Sequence, residues 1–325
     1  MRERLGTLVL AFSLPITVLL SLSVGPYKSV GPLTLIELLL GHLNSQVDVS
    51  VIEYRAVRTA AALVLGAGLA AAGSTLQFTL RNPLADPYLT GMASGSLLGV
   101  TAALAAGKAS FWALYASALL GGLLTLLLVV VISGLVGGGA TTLLVTGVAL
   151  SYALSGVTMF LMISLGPRLP GALYWMFGSV AFVTLPLLLR TLAIVAAAML
   201  GLAIMSRSIN ALLLGDDVAR AIGVKVRAVR LTAFTLASLI TASLVAMAGP
   251  VGFVGLAAPW LSKRAFGVRF AVTLSTSAIV GAELTTLSDV IARMIIFPSE
   301  APLTAVTSVF GAPLLVYILL GSRGE

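Results

Sequence analysis

Nine nearly uninterrupted apolar stretches decide what this chain can fold into: 5–24, 56–80, 88–106, 109–133, 142–165, 186–206, 228–249, 270–296 and 302–321. Each is long enough to cross a hydrocarbon core of roughly 30 Å as a helix. A tenth run, 251–262, is shorter and ambiguous. Charged residues make up only 9% of the chain and hydrophobic ones 59%, whereas a soluble domain carries roughly 25% charged residues. That is too little charge to cover a water-facing surface, so the solvent is lipid. In lipid the backbone must satisfy itself, which leaves helices or a closed barrel, and apolar runs without alternation select helices. The expectation is an all-α polytopic membrane protein of nine or ten spans, one transmembrane domain over residues 1–325. The run at 5–24, behind Arg2 and Arg4, is longer than a signal-peptide core and lacks a clear small-x-small cleavage site, so it is read as a retained first span.

The same composition excludes several functions. With no cysteine and a single histidine, His42, the chain offers no thiolate metal site, and His42 reads as a polar loop residue. No G-x-x-x-x-G-K-[ST] sequence occurs, so the chain lacks the usual cradle for ATP. A net charge of +8 without aromatic–basic interleaving points to basic membrane loops rather than to nucleic acid. Ten spans with the N-terminus inside distribute the basic residues 12 to 7 in favour of the cytoplasmic side. Both termini then lie in the cytoplasm.

Charge is also unevenly spread. Seven of the chain's 30 charged residues fall between positions 207 and 230: Arg207, Asp216, Asp217, Arg220, Lys225, Arg227 and Arg230. The basic count puts this island in the cytoplasm. Asn82-Pro83 and Asp86-Pro87 break the second span from the third, and Gly137-Gly138-Gly139 loosens the connection from the fourth to the fifth. Small residues recur at four-residue spacing at Ala62, Gly66 and Ala70 and at Gly91, Gly95 and Gly99, ridges that let helices approach closely in lipid. Residues 25–54 are more polar, with a short surface helix expected near 33–43. Glu283 lies deep in the ninth span, where a charge is expensive and faces protein or a water-filled cavity.

Three segments carry a family resemblance. The first holds Arg55-Ala56-Val57-Arg58-Thr59 and, beyond Gln77, Arg81-Asn82-Pro83-Leu84-Ala85-Asp86-Pro87. The second is the island, with Gly215-Asp216, Ala219 and Ile222-Gly223. The third is Gly249-Pro250-Val251-Gly252-Phe253-Val254-Gly255-Leu256, followed by Pro259, Asp289, Arg293 and Glu300-Ala301-Pro302. Together they resemble the FecCD-type permeases of ABC importers for iron-siderophores, haem and cobalamin, over nearly the whole chain. The chain departs from the family at Trp260, Lys263 and Val268-Arg269-Phe270, to which no role is assigned.

The resemblance implies ten transmembrane helices in the type II ABC importer architecture and a homodimer with the transport path between its copies. It also implies two cytoplasmic ATPase subunits that bind ATP and magnesium, and an extracytoplasmic substrate-binding protein. No cofactor and no catalytic residue belong to this chain itself. The coupling segment at 207–227 would meet the ATPase through Leu212, Leu213, Gly215, Asp216, Asp217, Ala219, Arg220, Ile222 and Gly223, with Leu212, Leu213, Ala219 and Ile222 as its apolar face. Arg55, Arg58 and Arg293 would dock the binding protein; helix anchoring, or an i,i+4 pair of Arg293 with Asp289, is the alternative. Asn82, Leu84, Ala140 and Thr141 would narrow the cytoplasmic exit. The substrates implied are a siderophore-bound iron, haem, cobalamin, molybdate or tungstate. A rival reading is an ion-coupled secondary transporter using Glu283 and Asp289.

Overall fold

The structure, a computed structural model, describes residues 2–27, 30–40, 46–166, 169–296 and 298–321; His42 lies outside them. Its α-helices are α1 (Arg2–Ser23), α2 (Pro32–Leu39), α3 (Gln46–Thr79), α4 (Met92–Ala105), α5 (Phe111–Leu135), α6 (Ala140–Ser164), α7 (Leu169–Met176), α8 (Leu185–Ile204), α9 (Ser206–Leu212), α10 (Asp216–Ala221), α11 (Val226–Ala248), α12 (Val254–Phe266), α13 (Phe270–Ala292) and α14 (Leu303–Gly321). A short 3-10 turn, Pro87–Thr90, precedes α4, and no strand occurs among the described residues. α3, α5, α6, α8, α11 and α13 are each long and apolar enough to cross a membrane. With α1, α4, α12 and α14 they make ten spans, so the ambiguous run at 251–262 is a span of its own, with Pro259 inside it. α2 is the expected surface helix.

Glycine permits the central packing. A Cβ on Gly66 would lie 2.0 Å from the carbonyl oxygen of Gly281, and one on Gly73 would lie 1.8 Å from that of Gly255. α3 therefore touches α13 and α12 backbone to backbone. Gly95 and Gly99 do the same for α4 against α5, at Gly121 and Ser117. Lipid tails are as apolar as leucine, so contact of this closeness, rather than hydrophobic burial, drives helix association. α3 is 78% buried over its apolar window and α6 only 17%. The first is the axis of the bundle; the second is the least covered of the six long spans.

Thirteen residues of α12 span only about 20 Å, short of a bilayer core, and between the last helical bond of α11, from Gly249 N to Val245 O, and the first of α12, from Ala257 N to Phe253 O, the backbone at 250–252 is non-helical within the bundle. Such backbone is tolerated only inside protein or along a water-filled cavity. Several of its backbone groups, and those of the chain beside it, are held by specific partners. Val251 N donates to the Tyr88 hydroxyl at 2.6 Å, and Pro250 O accepts from Thr304 Oγ1 at 2.6 Å. Ala248 O accepts from Ser179 N at 2.8 Å, and Gly178 O from Leu303 N at 3.1 Å. Phe253 opens α12 in the left-handed region (φ 68°) with its ring against Gly311 of α14.

Candidate functional site

The charged island folds as α9, a tight turn, α10 and the first turn of α11. Gly215 and Gly223 bound α10 at φ 102° and 86°, a region that glycine enters at no steric cost. Asp216 is the hub. Its Oδ1 lies 2.7 Å from Arg230 Nη2 and 3.1 Å from Arg81 Nη2, and its Oδ2 3.9 Å from Arg220 Nη2. Arg230 is 3% exposed and also donates from Nε to Thr79 O at 3.2 Å, so α10 is pinned to the end of α3 and the start of α11 together. The hydrogen bond from Arg230, and the charges of Arg230, Arg81 and Arg220 after it, hold the Asp216 carboxyl below the usual carboxylate range. Asn210 Oδ1 accepts from Phe270 N at 3.0 Å and ties α9 to α13.

This segment is a rigid platform with two faces. Ala211, Leu212, Ala219 and Val226 form a small core beneath it. The expected outward apolar face is therefore corrected: Leu212 and Ala219 are fully buried, while Leu213 and Ile222 point outward. Leu214 and Val218, which the sequence reading missed, join them at 63% and 48% exposure. Asp217 is fully on the surface beside Arg220, at 3.3 Å.

The two expected gate turns lie at the same end. Asn82 Oδ1 accepts from Leu84 N at 2.9 Å in an Asx turn that leaves Leu84 half exposed. Ala140 opens α6 with Thr141 exposed, after Gly137 and Gly138 at positive φ. Next to them, Lys263 donates to Gln77 Oε1 at 2.6 Å and sits 4.9 Å from the centre of the Phe78 ring, which packs edge-on against Phe270. Trp260 carries the Arg264 guanidinium at 5.5 Å. Of the positions that depart from the pattern the sequence resembles, Lys263 and Phe270 thus contact α3, and Trp260 contacts Arg264.

At the opposite end the three arginines are turned inward, each 2–3% exposed. Arg55 donates to the carbonyls of Leu22, Ser23, Tyr27 and Val30 at 2.9–3.2 Å, capping the chain where α1 ends. Arg58 holds Asp289 through Nε and Nη2 and Glu300 through both Nη atoms, with distances of 2.6–3.1 Å. Arg293 Nε lies 3.6 Å from Asp289, and its Nη2 donates to Ser21 O and Oγ at 3.0 and 2.8 Å. The result is a ring joining α1, α3, α13 and the strand of chain before α14. In this conformation all three guanidinium groups are engaged by the chain's own acids and carbonyls, the anchoring alternative, and none faces outward. Glu300, which the sequence reading gave no role, is the ring's most exposed member at 26%. Glu283 accepts from Ser13 Oγ at 2.6 Å and so joins α13 to α1. Among the described residues no three His, Cys, Asp or Glu side chains gather as a metal site.

A ten-span bundle threaded by non-helical backbone, with a rigid charged platform at one end, is the architecture of a transport permease. The chain belongs to the FecCD transport family, whose model matches residues 13–321. It is 31% identical over 326 residues to the Fe(3+)-citrate import system permease protein YfmE of Bacillus subtilis, covering 98% of this chain and 95% of that one. It is 33% identical to the cobalamin import system permease protein BtuC of Halobacterium salinarum, over 78% of this chain and 69% of that one. Among solved structures it superposes with a TM-score of 0.86 and 32% identity on a metal-chelate type ABC transporter in an inward-facing conformation, covering 96% of this chain and 97% of that one.

Proposed function

We propose that this chain is the membrane subunit of an ATP-driven importer, with the 207–230 island facing the cytoplasm, both termini on that side and the Arg58–Asp289–Glu300 ring facing outward. Two copies enclose the path, an external binding protein delivers a chelated metal of the ferric citrate, hydroxamate or cobalamin kind, and two ATPase subunits supply the energy. The single observation that carries this reading is the platform: α9 and α10, clamped at Asp216, present Leu213, Leu214, Val218 and Ile222 outward from a membrane bundle. A solvated loop has no need of such a clamp, whereas force from a partner reaches the spans only through a rigid contact. The relatives' names support the substrate class. Selectivity then rests with the binding protein; among the described residues no three His, Cys, Asp or Glu side chains gather to ligate a metal. An ion-coupled carrier would need free carboxylates at mid-membrane; Asp289 is held by Arg58 and Glu283 by Ser13.

Reconstitution in vesicles with its ATPase and binding protein tests the reading. Uptake of the chelate is expected only with ATP and both partners, and Glu283→Gln, which keeps an acceptor for Ser13, is expected to preserve it. Uptake that persists without nucleotide, or that follows a proton gradient and is lost in Glu283→Gln, overturns the proposal.

A further inference from the structure

Beside the platform, at the end of the coupling segment, Arg220, Lys225 and Arg227 rim an open groove whose floor is Val224, Val226, Ala228 and Leu231. Arg220 is shared with Asp216 and Asp217. Lys225 and Arg227 are exposed, and among the described residues no carboxylate lies within 4.0 Å of either. The Arg227 side chain reaches across to the end of α5, donating from Nη2 to Gly134 O at 3.4 Å and leaning on Gly138. The partly exposed stripe of α11 continues from this floor through Leu231, Thr232 and Thr235 into the membrane-spanning part of the helix. Next to it, Leu135 and Val136 stand 83% and 71% exposed at the end of α5.

We infer that this groove binds an anionic phospholipid, its phosphate at Lys225 and Arg227 and an acyl chain along the α11 stripe. Three features match that ligand and no other single one. Two cations without a carboxylate partner among the described residues stand at the N-terminal end of α11, a helix long and apolar enough to cross a membrane. An apolar floor of Val224, Val226, Ala228 and Leu231 lies beside them, and the partly exposed stripe continues along α11 through Thr232 and Thr235. The cations bracket the span's first turn, where a soluble partner would meet the membrane surface before it met the floor. Basic pockets between helices at the cytoplasmic face are the known physical basis for retaining acidic headgroups. Because Arg227 bridges α11 to the glycine turn before α6, a bound headgroup also steadies the turn that presents Ala140 and Thr141.

The test is native mass spectrometry of the purified full-length chain titrated with phosphatidylglycerol or phosphatidylcholine, backed by binding to vesicles of each lipid. Phosphatidylglycerol is expected to be retained selectively. The double variant Lys225→Gln/Arg227→Gln should weaken that retention roughly thirty-fold at low salt, each basic residue near a membrane surface contributing about 1 kcal/mol. Lys225→Arg/Arg227→Lys should keep it. A double variant of equal charge change at the other end, Lys108→Gln/Arg190→Gln, should keep it too, and excess inorganic phosphate should not displace the lipid. Equal retention of both lipids, equal loss in the two charge-neutralised variants, displacement by phosphate, or a Lys225→Gln/Arg227→Gln variant that keeps its lipid but loses the ATPase subunit would each overturn the assignment. The lipid-retention outcomes do not depend on the transport reading; only the loss of the ATPase subunit does.

Discussion

Arg58 meets two carboxylates at once in a site almost closed to water. Burying such a charge is tolerable only while it is paired, and removing one partner of a buried pair costs about 3–5 kcal/mol. Arg58→Met is therefore expected to destabilise the chain by that order, read as a lower unfolding temperature in detergent. Glu300→Gln should cost less, because Glu300 is partly exposed and water screens its share. An Arg58→Met chain that melts like the parent but no longer holds its binding protein would show instead that Arg58 works by docking. Sequence reading went half-way here. The Asp289–Arg293 pair is an i,i+4 spacing visible on one helix, and it is present. Arg58 reaches Asp289 across 231 residues and Glu300 across 242. Only the glycine-to-glycine approach of α3 and α13 brings those residues together.

At the scale of elements, α9 and α10 divide their labour between a buried clamp and an exposed face. Charging the face alone tests the division. Val218→Asp/Ile222→Asp is expected to abolish co-purification of the ATPase subunit while changing stability by no more than about 0.5 kcal/mol, the usual effect of surface substitutions; a parallel fall in unfolding temperature would mean the face is part of the core. The clamp should respond to acid. Asp216 has its folded pKa depressed, so its stabilising contribution is present above the ordinary carboxylate pKa of about 3.9 and fades as pH falls through the folded value. Hydrogen exchange at 206–223 should therefore hold steady down to that range and quicken below it, and Asp216→Asn should exchange fast throughout. Charge density alone located this segment in the sequence. Which residues face inward was not legible, because helices of seven and six residues are under two turns and carry no readable period.

For the whole molecule, the tenth span, α12, is too short to be read from its run; the other nine followed from hydrophobic run length, since a bilayer sets the length most crossings need. The weave at 249–253 did not, because the partner that satisfies Val251 is a tyrosine 163 residues away. The bundle leaves α6 with little of its own cover, and Tyr152, Phe160 and Ile163 stand about four-fifths exposed along it. If that face meets a second copy, Tyr152→Cys is expected to form a disulfide-linked dimer in membranes under oxidation. The chain has no native cysteine to confuse the result; a monomer band alone would move the dimer seam elsewhere. One helix connects the two ends of this molecule without a break. Between Arg58, in the arginine ring, and Thr79, whose carbonyl receives Arg230, α3 runs 21 residues, about 32 Å. A tilt of one degree about either end displaces the other by about half an ångström, as much as these hydrogen bonds can stretch before weakening steeply. A rigid tilt of α3 would thus register at both ends, which α13 also joins. Reciprocity then requires that a ligand favouring one tilt at the ring change affinity at the platform by a given factor, and that whatever grips the platform change affinity at the ring by the same factor.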